Sequence, residues 1–162
     1  MTTLNQPEQD STYPTSSAER RLKLTAYVLI AIGIVDLIRG FMHTFNIHYA
    51  ATHIAQVDLT AAMAGDFLLV MSTLGISNYL TGILAILIGM KAKKLAPLVL
   101  AIIPVTYLLG IISIRMNDVQ VTAAFNGQYM MFIYLAICAL TALYYYVPKW
   151  LGKDSAVISE AS

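Results

Sequence analysis

The chain reads as an all-α integral membrane protein, a four-helix bundle with N and C termini cytoplasmic, and three observations lead to that reading. Four apolar runs, at residues 24–45, 67–90, 96–114 and 129–147, each approach the roughly 20 residues with which a helix crosses a hydrocarbon core about 30 Å thick. Apolar residues make up 58% of the 162-residue chain, charged residues 12%, and mean hydropathy is +0.69. A soluble domain carries about a quarter charged residues. Finally, Lys and Arg are confined to alternate connections, as expected when cationic loops stay on the cytoplasmic side.

Residues 1–19 are polar, contain Glu8, Asp10 and Glu19, and lack a basic residue. Such a segment buries too little apolar surface to offset its ordering entropy, so a disordered tail is expected. The four-span domain then occupies 20–150, with a short tail at 151–162. Arg20, Arg21 and Lys23 precede the first span. The apolar run after them is too long for a secretory signal. Arg20 and Arg21 ahead of it resemble a twin-arginine export signal, but no small-residue cleavage site follows and Asp36 and Arg39 interrupt the run. The connection 46–66 has no Lys or Arg, the tight second connection has Lys91, Lys93 and Lys94, the third has only Arg115, and Lys149 and Lys153 follow the last span. Both termini and the Lys91–Lys94 turn are therefore expected inside, with the longer connections outside. The expected setting is a multi-pass protein of a prokaryotic cytoplasmic membrane.

Lipid tails are as apolar as leucine, so helices in a bilayer associate through close packing at small residues and through hydrogen bonds. In the second span Gly75, Gly82 and Gly89 recur every seven residues, with Asn78 about 60° away around the helix. The first span has Ala26, Gly33 and Gly40 at the same interval. A seven-residue repeat of small residues predicts left-handed, nearly aligned helix packing. In the third span Pro97 sits near the helix start, where its missing N–H costs nothing. Pro104 lies inside and should kink the helix, and Thr106, Gly110 and Ser113 share a face. In the fourth, Tyr134, Cys138, Thr141, Ala142 and Tyr145 fall within about a third of the circumference. Tyr144, Tyr145, Tyr146 and Trp150 stand where this span should leave the membrane. Each span thus has a small or polar stripe, and a compact bundle follows. The connection 46–66 lacks Pro, and Gly until position 65. It predicts an outer interfacial helix or a projecting second helix that begins near Ala61 and is capped by Asp58 or Thr60.

Asp36, Arg39 and His43 are the unusual residues. Each charge at mid-membrane depth costs roughly 2.5–3.5 kcal/mol. Their i, i+3, i+7 spacing puts all three on one helix face with Gly40. More polar residues gather toward the same side: His48, His53, Asp58 and Asp66, then Arg115, Asn117, Asp118, Asn126 and Gln128. The expectation is an outward-opening polar cavity with Asn78 at its floor and a ligand site made of Asp36, Arg39, His43, Asn78 and Arg115. Arg39 would fix a negative group, Asp36 would orient Arg39, and His43 would titrate or hydrogen-bond. The plainer reading makes Asp36–Arg39 a packing salt bridge and lets Arg115 snorkel to headgroups.

Histidines at 43, 48 and 53 cannot converge from one helix, because five-residue spacing separates neighbours by about 140°. Only a fold-back near Asn46 would gather them with Asp58 or Asp66, and neither metal nor cofactor is expected. Haem needs axial ligands on facing helices, and only His43 lies within a span. The one cysteine, Cys138, rules out a disulfide framework. Net charge of +1 gives no bulk electrostatic handle for nucleic acid. Hydrolase elbow, HExxH, P-loop and GxGxxG patterns are absent from the sequence. Asp36 resembles the single membrane acid of small four-helix multidrug exporters, but this chain is longer, has Asp for Glu, and pairs it with Arg39. In topology and size the chain resembles the DoxX-like four-helix membrane families. That likeness is architectural and implies a fold, not an activity.

Three functions are therefore expected to compete. One is capture or transport of a small polar or anionic ligand from the outer face. The second is an accessory or structural subunit, whose seams pack against a second copy or a larger membrane complex. The third, an enzyme using His43 with Asp36 or Asp58 as an acid–base pair, ranks last, since no nucleophile or metal set accompanies the pair.

Overall fold

A computed structural model describes residues 17–118 and 127–151. These are almost wholly helical, without strands among the described residues. Helix α1 spans Ser17–Thr44, α2 starts as Ile47–Tyr49 and continues as a π-helical turn over Ala50–Ile54, α3 spans Ala64–Lys91, α4 Ala96–Met116 and α5 Gly127–Trp150. α1, α3, α4 and α5 are long and apolar enough to cross a membrane, the mark of a multi-pass membrane protein. Their outward faces carry exposed side chains such as Ile76, Leu80, Leu108 and Leu140, a surface that water would not tolerate over such an area.

The helices outrun the apolar runs at most ends. α1 begins at Ser17, so Ser17–Glu19, read as tail, are its first turn, where Glu19 pairs with Lys23 at 2.7 Å. The remainder of the expected N-terminal tail, and residues 152–162, lie outside the described residues. α3 begins at Ala64 rather than near Ala61, and neither Asp58 nor Thr60 caps it: Met63 holds the cap position without a side-chain bond. Asp58 instead closes a turn of its own. Its Oδ1 accepts from the Thr60 backbone N–H at 2.8 Å and from the Thr60 hydroxyl at 2.7 Å. These bonds, the hydroxyl's first, hold the Asp58 carboxyl below its ordinary range.

α1 is the hub. It packs closely on α3 and touches α4 and α5, which pack on each other, while α3 has little contact with α4. The α1–α3 contact is the glycine seam in antiparallel register. A Cβ built on Gly33 would lie 2.7 Å from the Gly82 carbonyl oxygen, and one on Gly82 the same distance from the Gly33 oxygen. Gly40 faces the Gly75 oxygen at 3.1 Å, and Gly89 faces that of Ala26 at 2.9 Å. Only residues without a Cβ let two backbones come this near. At one end the seam is closed by Tyr79, whose hydroxyl donates to Thr44 Oγ1 at 3.0 Å, while Thr44 donates to the Gly40 carbonyl at 2.8 Å.

On its other side α1 presents Ala26, Leu29 and Ile32 to Ala96 and Leu100 of α4 and to Tyr134, Cys138 and Ala142 of α5. The inward stripe of α5 is thus the one its residue pattern predicts. The stripe of α4 is not: Thr106, Gly110 and Ser113 are exposed, and a Cβ on Gly110 would meet nothing within 4 Å. The inward part of α4 is its first turns, through Ala96, Pro97 and Leu100. Pro104 lies inside the helix; lacking an N–H, it leaves the buried Leu100 carbonyl without its helical donor. The bundle is therefore packed around α1 and loosest along the second half of α4.

Candidate functional site

The site grows from the last three turns of α1. Asp36 is 7% exposed, a depth at which a carboxylate needs partners. It has two fixed ones. Arg39, one turn on, donates from Nη1 to Oδ1 at 3.3 Å, and Tyr134 of α5 donates from its hydroxyl to Oδ2 at 3.1 Å. Asp36 thereby ties α5 to α1, while the Thr81 hydroxyl of α3 donates within its own helix to the Asn78 carbonyl at 3.1 Å. Among the described residues no buried side-chain nitrogen or oxygen lacks a partner.

Arg39 has the opposite character. Its side chain is 26% exposed against 9% for that of Asp36. The guanidinium carbon lies 5.8 Å from the centroid of the Tyr134 ring, a cation–π contact. Tyr107 of α4 backs this contact, its ring leaning on Tyr134 at 6.4 Å between centroids. Arg39 is therefore held from behind by a carboxylate and from the side by an aromatic face.

His43, a further turn along, accepts at Nδ1 from the Asn78 amide of α3 at 3.3 Å. With the amide N–H as donor, Nδ1 carries no proton and the imidazole keeps its proton on Nε2. Asn78 is thus a support for His43 across the glycine seam, not the floor of a cavity.

A cavity of about 160 Å³ lies beside these residues, lined by Arg39, His43 and Tyr134 among apolar side chains. Asp36 is not on its wall. α2 forms one side through Ala50, Ile54 and Ala55, and is anchored there because Ala50 and Ala51 are buried against Met71 of α3. The π-helical turn that ends α2 is a feature common near functional sites. Just beyond its cap, Ala55, Gln56 has a φ of 52° in the left-handed region, and the Val57 N–H reaches back to the Ala51 carbonyl at 2.9 Å. The connection 46–66 thus holds a short helix that borders the cavity.

The other expected participants stand apart. Arg115 is exposed in the last turn of α4 and does not line the cavity. His48 is exposed, while His53 stacks on Tyr49 at 4.5 Å and contacts the Thr52 hydroxyl through Nδ1 at 2.8 Å. Hence the fold-back after α1 does not gather the histidines, and among the described residues no three His, Cys, Asp or Glu side chains are grouped to hold a metal ion. Asn126 lies outside the described residues. Tyr134 and Tyr107 are the participants that sequence reasoning did not assign to the site, although Tyr134 had been placed on the inward stripe of its helix. No protein-family model matches the chain, and neither does a curated protein nor a solved structure.

Proposed function

We propose that this protein binds, and passes or presents, a small polar or anionic ligand that enters at the end of the bundle where α2 lies. With the cationic ends of the helices in the cytoplasm, that end is the outer face. In this reading both termini are cytoplasmic and the host is a prokaryotic cytoplasmic membrane. The observation that carries the proposal is the division of labour between Asp36 and Arg39. The carboxylate is buried and engaged, while the guanidinium borders a cavity. A pair that served packing alone would not need its cation beside a cavity. Here the cation alone faces open space, next to the neutral donor His43. Arg39 holds the negative group, Asp36 and Tyr134 position Arg39, and His43 adds a hydrogen bond.

A second reading, a non-catalytic subunit of a membrane complex, is favoured by one observation. Asp36 ties α1 to α5, so the pair also serves packing. Four variants separate the two readings. Arg39→Gln and His43→Ala should leave folded proteins that fail to complement a deletion phenotype, while Arg39→Gln, which removes the counter-charge of buried Asp36, and Asp36→Asn should lower thermal stability as well. The charge-swapped Asp36→Arg/Arg39→Asp protein should regain stability and not function. Recovery of function by the swap, or full function of Arg39→Gln and His43→Ala, would show the pair to be structural.

A further inference from the structure

The cavity beside Arg39 is polar at one end only. Apart from Gly127, every lining residue other than Arg39, His43 and Tyr134 is Ala, Val, Ile or Met. Four are methionines: Met42 on α1, Met71 on α3, and Met130 and Met131 on α5. Methionine is unbranched and polarisable, and it moulds to apolar or aromatic groups through favourable sulfur–aromatic contacts. A site meant for a small hydrated anion has no use for such a wall, since it would strip water from the ion without replacing it. The polar end offers donors: the guanidinium, of which one N–H goes to Asp36, and the Nε2–H that the Asn78 bond leaves on His43. The Tyr134 hydroxyl is spent on Asp36. Donors at one end call for an acceptor-rich head, and the methionine wall calls for an apolar body. The cavity volume of about 160 Å³ is close to that of an engineered apolar cavity that takes benzene, about 150 Å³.

We infer that the ligand is a small hydrophobic monoanion, with its acidic head on Arg39 and His43 and an aryl or short alkyl body among Met42, Met71, Met130 and Met131. This rests on the proposed ligand-site reading and narrows the ligand to one chemical class. Its test is isothermal titration of the full chain in phospholipid nanodiscs with three probes: 3-phenylpropionate, acetate, and the uncharged 3-phenylpropanol. Empty nanodiscs supply the partitioning blank. Phenylpropionate should bind at least about tenfold tighter than either other probe. Loss of one charge-assisted hydrogen bond weakens binding by at least this much, tenfold corresponding to about 1.4 kcal/mol.

Three variants, each still folded at the titration temperature, locate the parts. Arg39→Gln should weaken phenylpropionate at least about tenfold, with Arg39→Lys recovering part of the loss. Met131→Trp should fill the apolar end and abolish the preference for phenylpropionate over acetate. Should acetate bind as tightly as phenylpropionate, both depending on Arg39, the anion site stands and the hydrophobic body is overturned. Phenylpropionate binding that ignores Arg39→Gln, or is unmoved by Met131→Trp, overturns the inference. Failure of both anions to bind overturns it together with the ligand-site reading.

Discussion

Asp36 has the most demanding position in the chain, and its partners explain why it can be there. A lone carboxylate inside a bilayer would be driven to protonate or to find donors. Arg39 is written three residues ahead and could be read directly from the helix spacing. Tyr134 could not: it is 98 residues away, and only folding shows which aromatic of α5 meets which acid of α1. Tyr134→Phe should cost about 1.5–3 kcal/mol in unfolding measurements, the value of a hydrogen bond to a charged group. Combined with Asp36→Asn the losses should be strongly non-additive, because both changes remove one interaction. Additive losses would mean that the contact carries little energy. Asp58 makes the contrasting case in the connection before α3. Its carboxyl is held below the ordinary range by Thr60, so the turn is favoured above the usual aspartate value of about 3.9 and loses that support as pH falls through the lower folded value. The Thr60 amide resonance should therefore titrate with a midpoint below 3.9 in nuclear magnetic resonance, about the reference value; a midpoint at or above it would contradict the bond.

At the level of elements, spacing foretold some packing and misled about the rest. The seven-residue recurrence of Gly75, Gly82 and Gly89 against Ala26, Gly33 and Gly40 was legible because close backbone approach tolerates hardly any other residue. The Thr106, Gly110, Ser113 stripe had the same appearance yet lies exposed. Small residues permit contact without creating it, and α4 finds its partners through its first turns. The two glycines should accordingly respond in opposite ways to one added methyl. Gly82→Ala places a Cβ 2.7 Å from a backbone oxygen, so the helices must separate, at about 1–3 kcal/mol. Gly110→Ala meets nothing and should be neutral, or stabilising by up to about 1 kcal/mol through helix propensity. Unfolding of the two variants side by side checks the pair, and equal effects would contradict the seam. α2 was the least legible element. Its segment has neither a capping signal nor a clear period, and its π-helical turn exists because Ala50 and Ala51 fit against Met71. That is a tertiary cause, and no local pattern records it.

The whole molecule is a bundle with two unlike ends. Lys23 and the cations of the α3–α4 turn lie at one end, beside a groove bordered by Lys23 and Lys93, whereas Arg39 and His43 lie toward the other, under α2. Hydropathy reveals the spans because lipid dictates their length and polarity, and the alternation of cations orders them. The division into a hub helix, a tight α1–α3 seam and an α4–α5 pair comes from packing, which charge and hydropathy do not encode. Arg115 shows the limit: it shares an end with the site by topology, yet stands exposed on α4 and off the cavity wall. The central claim is that Arg39, held from behind by Asp36 and Tyr134, offers its charge to a ligand. Native mass spectrometry of the protein released from nanodiscs tests it most directly, with the wild-type chain and Arg39→Gln purified from the same host. The account predicts a small anionic molecule bound to the wild-type chain and absent from a folded Arg39→Gln variant. The same bound mass on both proteins, or none on either, would contradict it.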